Sequence, residues 1–178
     1  METSLGSAYL RNIIRIYRMY KEMGEKAIAQ VRSDDDLNIE LDPDSNSIAI
    51  IVKHVAGNLK SRFRDFLTTD GEKPDRNRDT EFESDGAVSR EQLLRWWEDG
   101  WSVLLKSVES LTSEDLERTI TIRGEKLQVV EALNRSVTHT AYHVGQIVYL
   151  ARHFASAAGE WKSLSIPKRP SAGAGRRS

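Results

Sequence analysis

VVEALNRSVTHTAYHVGQIVYL, residues 129–150, is the stretch on which the reading of the chain turns. Val130, Leu133, Val137, Val144, Ile147 and Val148 return at the three-to-four-residue interval of one helix face. His139 and His143 stand four residues apart within it, slightly more than one turn, so both imidazoles project from the same side. They lie at the edge of the apolar arc, away from Glu131, Asn134 and Arg135.

A second apolar run, residues 48–67, carries Ile48, Val52, Val55, Leu59, Phe63 and Phe66 on one stripe. Beside that stripe run His54, Asn58, Ser61 and Asp65. Polar groups bordering a helical core are costly unless they find partners. Two helices that each bring histidine to a shared interior can build a three-histidine site for a divalent metal, with coordination positions left open. The alternative is histidines satisfied by ordinary hydrogen bonds, and the residues alone leave both readings standing. His153 lies two to three turns beyond His143, roughly 15 Å along the axis, too far to join it. Thr140 stands where the metalloprotease motif needs Glu, which argues against that class of proteolysis.

Working outward, residues 4–32 repeat Leu5, Tyr9, Ile13, Ile16, Tyr20, Met23 and Ala27 at helical spacing. Asp34, Asp35, Asp36 and Pro43 interrupt the pattern, and residues 44–47 offer several N-cap candidates. Residues 69–87 form a polar stretch rich in Asp, Glu, Arg and Gly, expected as a long ordered loop. Ser89 and Gln92 read as a capping box for a helix over 90–110, carrying Leu93, Trp97, Trp101 and Leu104. Trp96, Trp97 and Trp101 suit core or dimer contacts better than a binding platform. The alternation in 119–129, with Gly124 between its halves, predicts a small β-hairpin. A last helix then runs from 129 to about 157. The expected architecture is all-α: one helical bundle over 1–160, a hairpin before the last helix, and a flexible tail over 161–178.

Composition narrows the function classes. Among 178 residues, 26 basic and 27 acidic side chains give a net charge of −1, with no nucleic-acid footprint. The chain contains no cysteine, which excludes disulfides, thiolate ligands and a cysteine nucleophile; any thiol chemistry needs an external thiol. The first residues do not read as a signal peptide, and no apolar run approaches the roughly 20 residues of a membrane span. A cytoplasmic protein without membrane contact is expected.

Three segments, KHVAGNL (53–59), FLTTDGEKP (66–74) and YHVGQI (142–147), carry a family likeness. Across about residues 5–157 the chain resembles the DinB/YfiT-like superfamily of metal-dependent enzymes, in its DUF1572 branch. The resemblance implies an up-down-down-up four-helix bundle, a homodimer, and a metal triad of one histidine on the second helix with a His-x-x-x-His pair on the fourth. Residue by residue, that triad is His54, His139 and His143. Its cofactor is one divalent metal ion: zinc or nickel first, iron or manganese as alternatives. Three imidazoles accept any of them. Characterised relatives include thiol transferases, so the partners implied are a small-molecule thiol and an electrophilic substrate. Asn58, Arg62 and Asp65, one to three turns beyond His54, are the candidate catalytic residues for orienting substrate or metal-bound water; surface or inter-helix hydrogen bonds are their other possible role. Metal-assisted hydrolysis, with Asp65 as base, is a second reading. A non-enzymatic, stress-related metal-binding or structural protein is a third. Arg76 and Arg78 in the polar stretch either help lid the site and bind an anionic group, or belong to a solvated loop held by its own ion pairs.

Overall fold

A serine opens each of the first four helices. The computed structural model describes residues 4–84, 86–157, 159 and 161–164. Within these lie α1 (Leu5–Ile28), α2 (Asp34–Asn38), α3 (Ile48–Phe63), α4 (Arg90–Glu109), β1 (Thr119–Ile122), β2 (Glu125–Gln128) and α5 (Val129–Ala157). Ser4, Ser33, Ser47 and Ser89 accept the backbone N–H of Ser7, Asp36, Ile50 and Gln92, satisfying donors that a helix start leaves unpaired. The Ser89 cap forms as expected, but the Gln92 amide oxygen accepts from Arg95.

Two element boundaries differ from the sequence reading. The acidic run begins α2: Asp34, Asp35 and Asp36 sit in its first turn, where negative charge complements the helix dipole, and Leu37 is buried. The helix expected to reach residue 67 stops at Phe63, because Arg64 is extended and Asp65 takes a left-handed φ of 49°. Phe66 is nevertheless buried, so the apolar stripe continues past the helix end.

Helix α1 packs against α5 and α4, and α3 packs against α4 and α5. Their shared interior holds Trp97 and Trp101 of α4, Tyr17 of α1, Leu59 of α3 and Leu133 of α5. Burying a large apolar side chain contributes about 1.5–3 kcal/mol, so this cluster supplies much of the fold's driving force. Tyr17 meets Trp101 and Phe63 edge-on, each at 6.4 Å, and its hydroxyl donates to the Leu133 carbonyl at 3.0 Å. That bond lets a phenol occupy the centre without an unsatisfied donor.

Strands β1 and β2 pair antiparallel, Ile120 opposite Leu127 and Ile122 opposite Glu125. Ile120 and Ile122 face the core. Arg123 and Gly124 both have positive φ, 55° and 77°, as a two-residue type I′ turn requires. Asp70 clamps this turn to the segment after α3: its carboxylate accepts the N–H groups of Glu72, Arg123 and Gly124 at 2.7–2.9 Å. These backbone donors hold the Asp70 carboxyl below the usual carboxylate range.

Beyond α5, Trp161 and Leu164 pack against the core, and Lys162 exchanges two hydrogen bonds with the Gln30 side chain. The remainder of the expected tail, residues 165–178, lies outside the described residues. Among the described residues, no helix is long and apolar enough to cross a membrane.

Candidate metal centre

Residues 54, 58 and 62 recur every four positions along α3 and face α5, whose Ser136, His139 and His143 approach from the other side. Together they line a cavity of about 570 Å³, a size suited to a small-molecule ligand. The hairpin turn contributes Arg123 to its wall, and the segment between α3 and α4 contributes Arg76, Arg78 and Phe82.

The three expected histidines come together at this cavity. His54 Nε2 and His143 Nε2 each lie 3.2 Å from His139 Nε2. One ring nitrogen from each histidine falls within 4.8 Å of the others, close enough to hold one metal ion. Zinc–imidazole bonds are about 2.0–2.1 Å, so a 3.2 Å separation subtends roughly 100° at a central ion, near the tetrahedral angle.

Hydrogen bonds on the far side of two rings fix which nitrogen faces inward. His54 Nδ1 lies 2.9 Å from Glu81 Oε2. Burial alone would raise the Glu81 carboxyl, but Arg76 and His54 outweigh it and hold the group below its ordinary range. Glu81 is therefore an ionised acceptor, and His54 carries its proton on Nδ1. Gln146 Oε1 lies 2.8 Å from His143 Nδ1 and orients that ring in the same way. In the neutral rings, both inward Nε2 atoms thus present lone pairs. His139 is kept neutral chiefly by burial and then by His143 and His54, which lower it to about 3; burial likewise lowers His143. Lone pairs crowded at 3.2 Å repel one another unless a proton or a cation stands between them, and this donor set fits a borderline-soft divalent cation.

Glu81 is itself held. Arg76 Nε and Nη2 each donate to it at 2.8 Å, a two-point grip on a carboxylate only 6% exposed. A side chain on Gly57, one turn beyond His54, would overlap that carboxylate, so glycine lets the segment between α3 and α4 close onto the histidine. Phe82 stacks on the His54 ring at 4.6 Å.

Of the other candidates, Asn58 and Arg62 line the cavity. Arg62 also braces the wall, donating to the Gly71 carbonyl and to Glu72. Asp65 lies outside the cavity, in a separate depression with Thr68 and Lys106. Its main-chain carbonyl accepts from Thr68 and Thr69 in the turn that ends α3. Ion pairs within the polar stretch hold it together, as in one of its two expected roles, and Arg76 and Arg78 line the cavity. Glu81 and Gln146 were not singled out from the sequence. Gln146 was findable, being one turn beyond His143, but Glu81 sits in an aperiodic segment with no local cue.

Residues 4–170 match the family described as "Protein of unknown function (DUF1572)". No curated protein matches the chain.

Proposed function

The chain belongs to the DUF1572 family, and from that membership and the geometry above we propose that it is a metal-dependent enzyme of the DinB-like kind, transferring a low-molecular-weight thiol to an electrophilic small molecule. The observation that carries this reading is the convergence of the His54, His139 and His143 Nε2 atoms at the edge of a ligand-sized cavity. In the same reading the four long helices form an up-down-down-up bundle, and the protein is a cytoplasmic homodimer.

The chain's own residues divide the work. His54, His139 and His143 would hold one divalent ion, zinc or nickel before iron or manganese. When bound, that ion supplies open positions where a thiol loses its proton and becomes a nucleophile. Glu81 keeps His54 in the ligand tautomer, and Gln146 does so for His143. Arg76 keeps Glu81 ionised and in place. Phe63, Phe66 and Ile122 give the cavity an apolar side, where weaker water screening strengthens polar contacts to a ligand. Asn58 is the neutral polar group on α3 best placed to orient that ligand.

The thiol reading is favoured over hydrolysis by the cavity's lining. Among the described residues no carboxylate lines the cavity, Glu81 is committed to His54 and Arg76, and Asp65 lies elsewhere. The described wall thus offers no carboxylate base to activate water. The first test is elemental analysis of untagged protein, wild type against His139→Ala. Near-stoichiometric metal that the substitution abolishes supports the site, and a thiol-transfer screen with that ion follows. A wild type that is empty and takes up neither zinc nor nickel overturns the enzyme reading and leaves the histidines as structural residues.

A further inference from the structure

Among the described residues, five arginines line the cavity, Arg62, Arg76, Arg78, Arg123 and Arg135, and no aspartate or glutamate does. Their carboxylate partners stand behind or beside the wall and are unevenly shared. Glu72 serves three of them: Arg62 at 2.9 Å, Arg123 at 2.8 Å and Arg76 at 3.6 Å. Glu81 pairs with Arg76, and Glu125 with Arg135 at 3.3 Å. Among the described residues, the carboxylate that Arg78 meets is that of the highly exposed Asp79, at 3.8 Å, beyond hydrogen-bond reach. The five guanidiniums thus share four side-chain partners, with Asp70 beside the Arg123 amide as a further carboxylate. Among the described residues none of these acids enters the cavity, where a cation at the histidines would add its charge.

A second observation points the same way. Arg76 is buried, with its side chain 5% exposed, yet its Nη1 makes no hydrogen bond among the described residues; its nearest carboxylate contact is the 3.6 Å approach to Glu72. A buried guanidinium N–H without a partner is costly. The Arg78 guanidinium meanwhile lies over the Phe82 ring, its carbon 4.9 Å from the ring centroid, and makes no hydrogen bond among the described residues. Guanidinium forks match carboxylate and phosphate oxygens in shape as well as charge, and a concave wall of one sign concentrates the field inside it.

We propose that this cavity binds a small molecule through an anionic group, a carboxylate or a phosphate, seated on Arg78 and Arg123 with Arg76 behind them. This deepens the proposed function by naming the charge of its substrate; it rests on the cavity as the ligand site but not on the metal. The anion end docks on the segment between α3 and α4 and on the hairpin turn, and the remainder of the molecule extends towards the histidines.

The test uses the full chain after chelator treatment, so that binding to a metal cannot contribute. Arginine Nε–Hε signals are followed by NMR during titration with succinate, with inorganic phosphate and with neutral succinamide at constant ionic strength. Saturable shifts with succinate or phosphate, and none with succinamide, are expected; the tighter of the two anions identifies the group. Arg78→Gln and Arg123→Gln should each weaken binding about tenfold, the loss of one charge-assisted hydrogen bond, while Arg95→Gln on the outer face of α4 leaves it unchanged. Equal shifts with succinamide, or unaltered binding by both cavity variants, overturn the inference. Anion binding by a protein that takes up no metal would remove the thiol-transfer reading and leave this one standing.

Discussion

Glu81 Oε2 stands 2.9 Å from His54 Nδ1, across 27 residues of sequence and out of the reach of solvent. A partner in this position fixes the ring and raises its basicity, and losing one typically costs 10–100-fold in metal affinity. Glu81→Gln keeps the size and one acceptor but removes the charge that Arg76 and His54 share. Zinc affinity should fall by roughly 10–100-fold with the far-UV circular dichroism unchanged. Competition against a chromophoric chelator measures it, and an affinity equal to wild type would remove Glu81 from the metal centre.

Gly57→Ala separates helix propensity from site geometry. In a helix interior, alanine is ordinarily more stabilising than glycine by about 1 kcal/mol. Here the new methyl meets the Glu81 carboxylate, which must move away from His54. The melting temperature should show none of the usual gain, and zinc affinity should drop alongside it. A variant that is both more stable and metal-competent would contradict the contact between α3 and Glu81.

Acid should weaken the metal-free protein in a defined window. His139 is lowered from 6.5 to about 3, and His143 is lowered in the same direction. The unfolded chain takes up both protons below about pH 6.5; the folded chain takes up the His139 proton only near pH 3, and the His143 proton at a pH below its ordinary one. Stability from the neutral histidines is therefore complete above about pH 6.5 and is lost progressively as pH falls towards 3. Discounted for partial exposure, roughly 1 kcal/mol from His139 should disappear between pH 7 and 5, with His143 adding to the loss in the same direction. Urea midpoints of chelated wild type and His139→Ala, taken at both pH values, check it: the variant should be the less pH-sensitive of the two. Bound zinc should leave over the same range, because protons compete for the same lone pairs.

Asp70→Ala should free the hairpin turn without unfolding the helices. The substitution removes the acceptor of the Arg123, Gly124 and Glu72 amides. Amide exchange at Arg123 and Gly124 should accelerate at least about tenfold while α4 protection stays at its wild-type level, since local opening and global unfolding are separate processes. Unchanged exchange would mean that strand pairing alone holds the turn.

The parts of the fold that were legible in sequence are those governed by a repeat. His139 and His143 were readable because four residues is nearly one turn, and α5 was placed at 129–157 by its periodicity. The turn at Arg123 and Gly124 was readable because glycine between two alternating runs has one common use. Phe66 misled: it lies buried on the same stripe as Phe63, so hydrophobicity alone could not see the chain break at Arg64 and Asp65. The aspartates at 34–36 looked like an interruption because acidic runs commonly are, although Ser33 before them is a helix cap. Glu81 carried no cue, since its role exists only once a segment without period has folded back across Gly57.

His54 and His139 touch across 85 residues of chain that contains no cysteine. An ion gripped by both would tie α3 to α5 much as a disulfide ties two strands, and its stabilising effect would grow with the length of the loop it closes. Unlike a disulfide, such a tie made by zinc is indifferent to the redox state of its surroundings and is undone by chelators or acid.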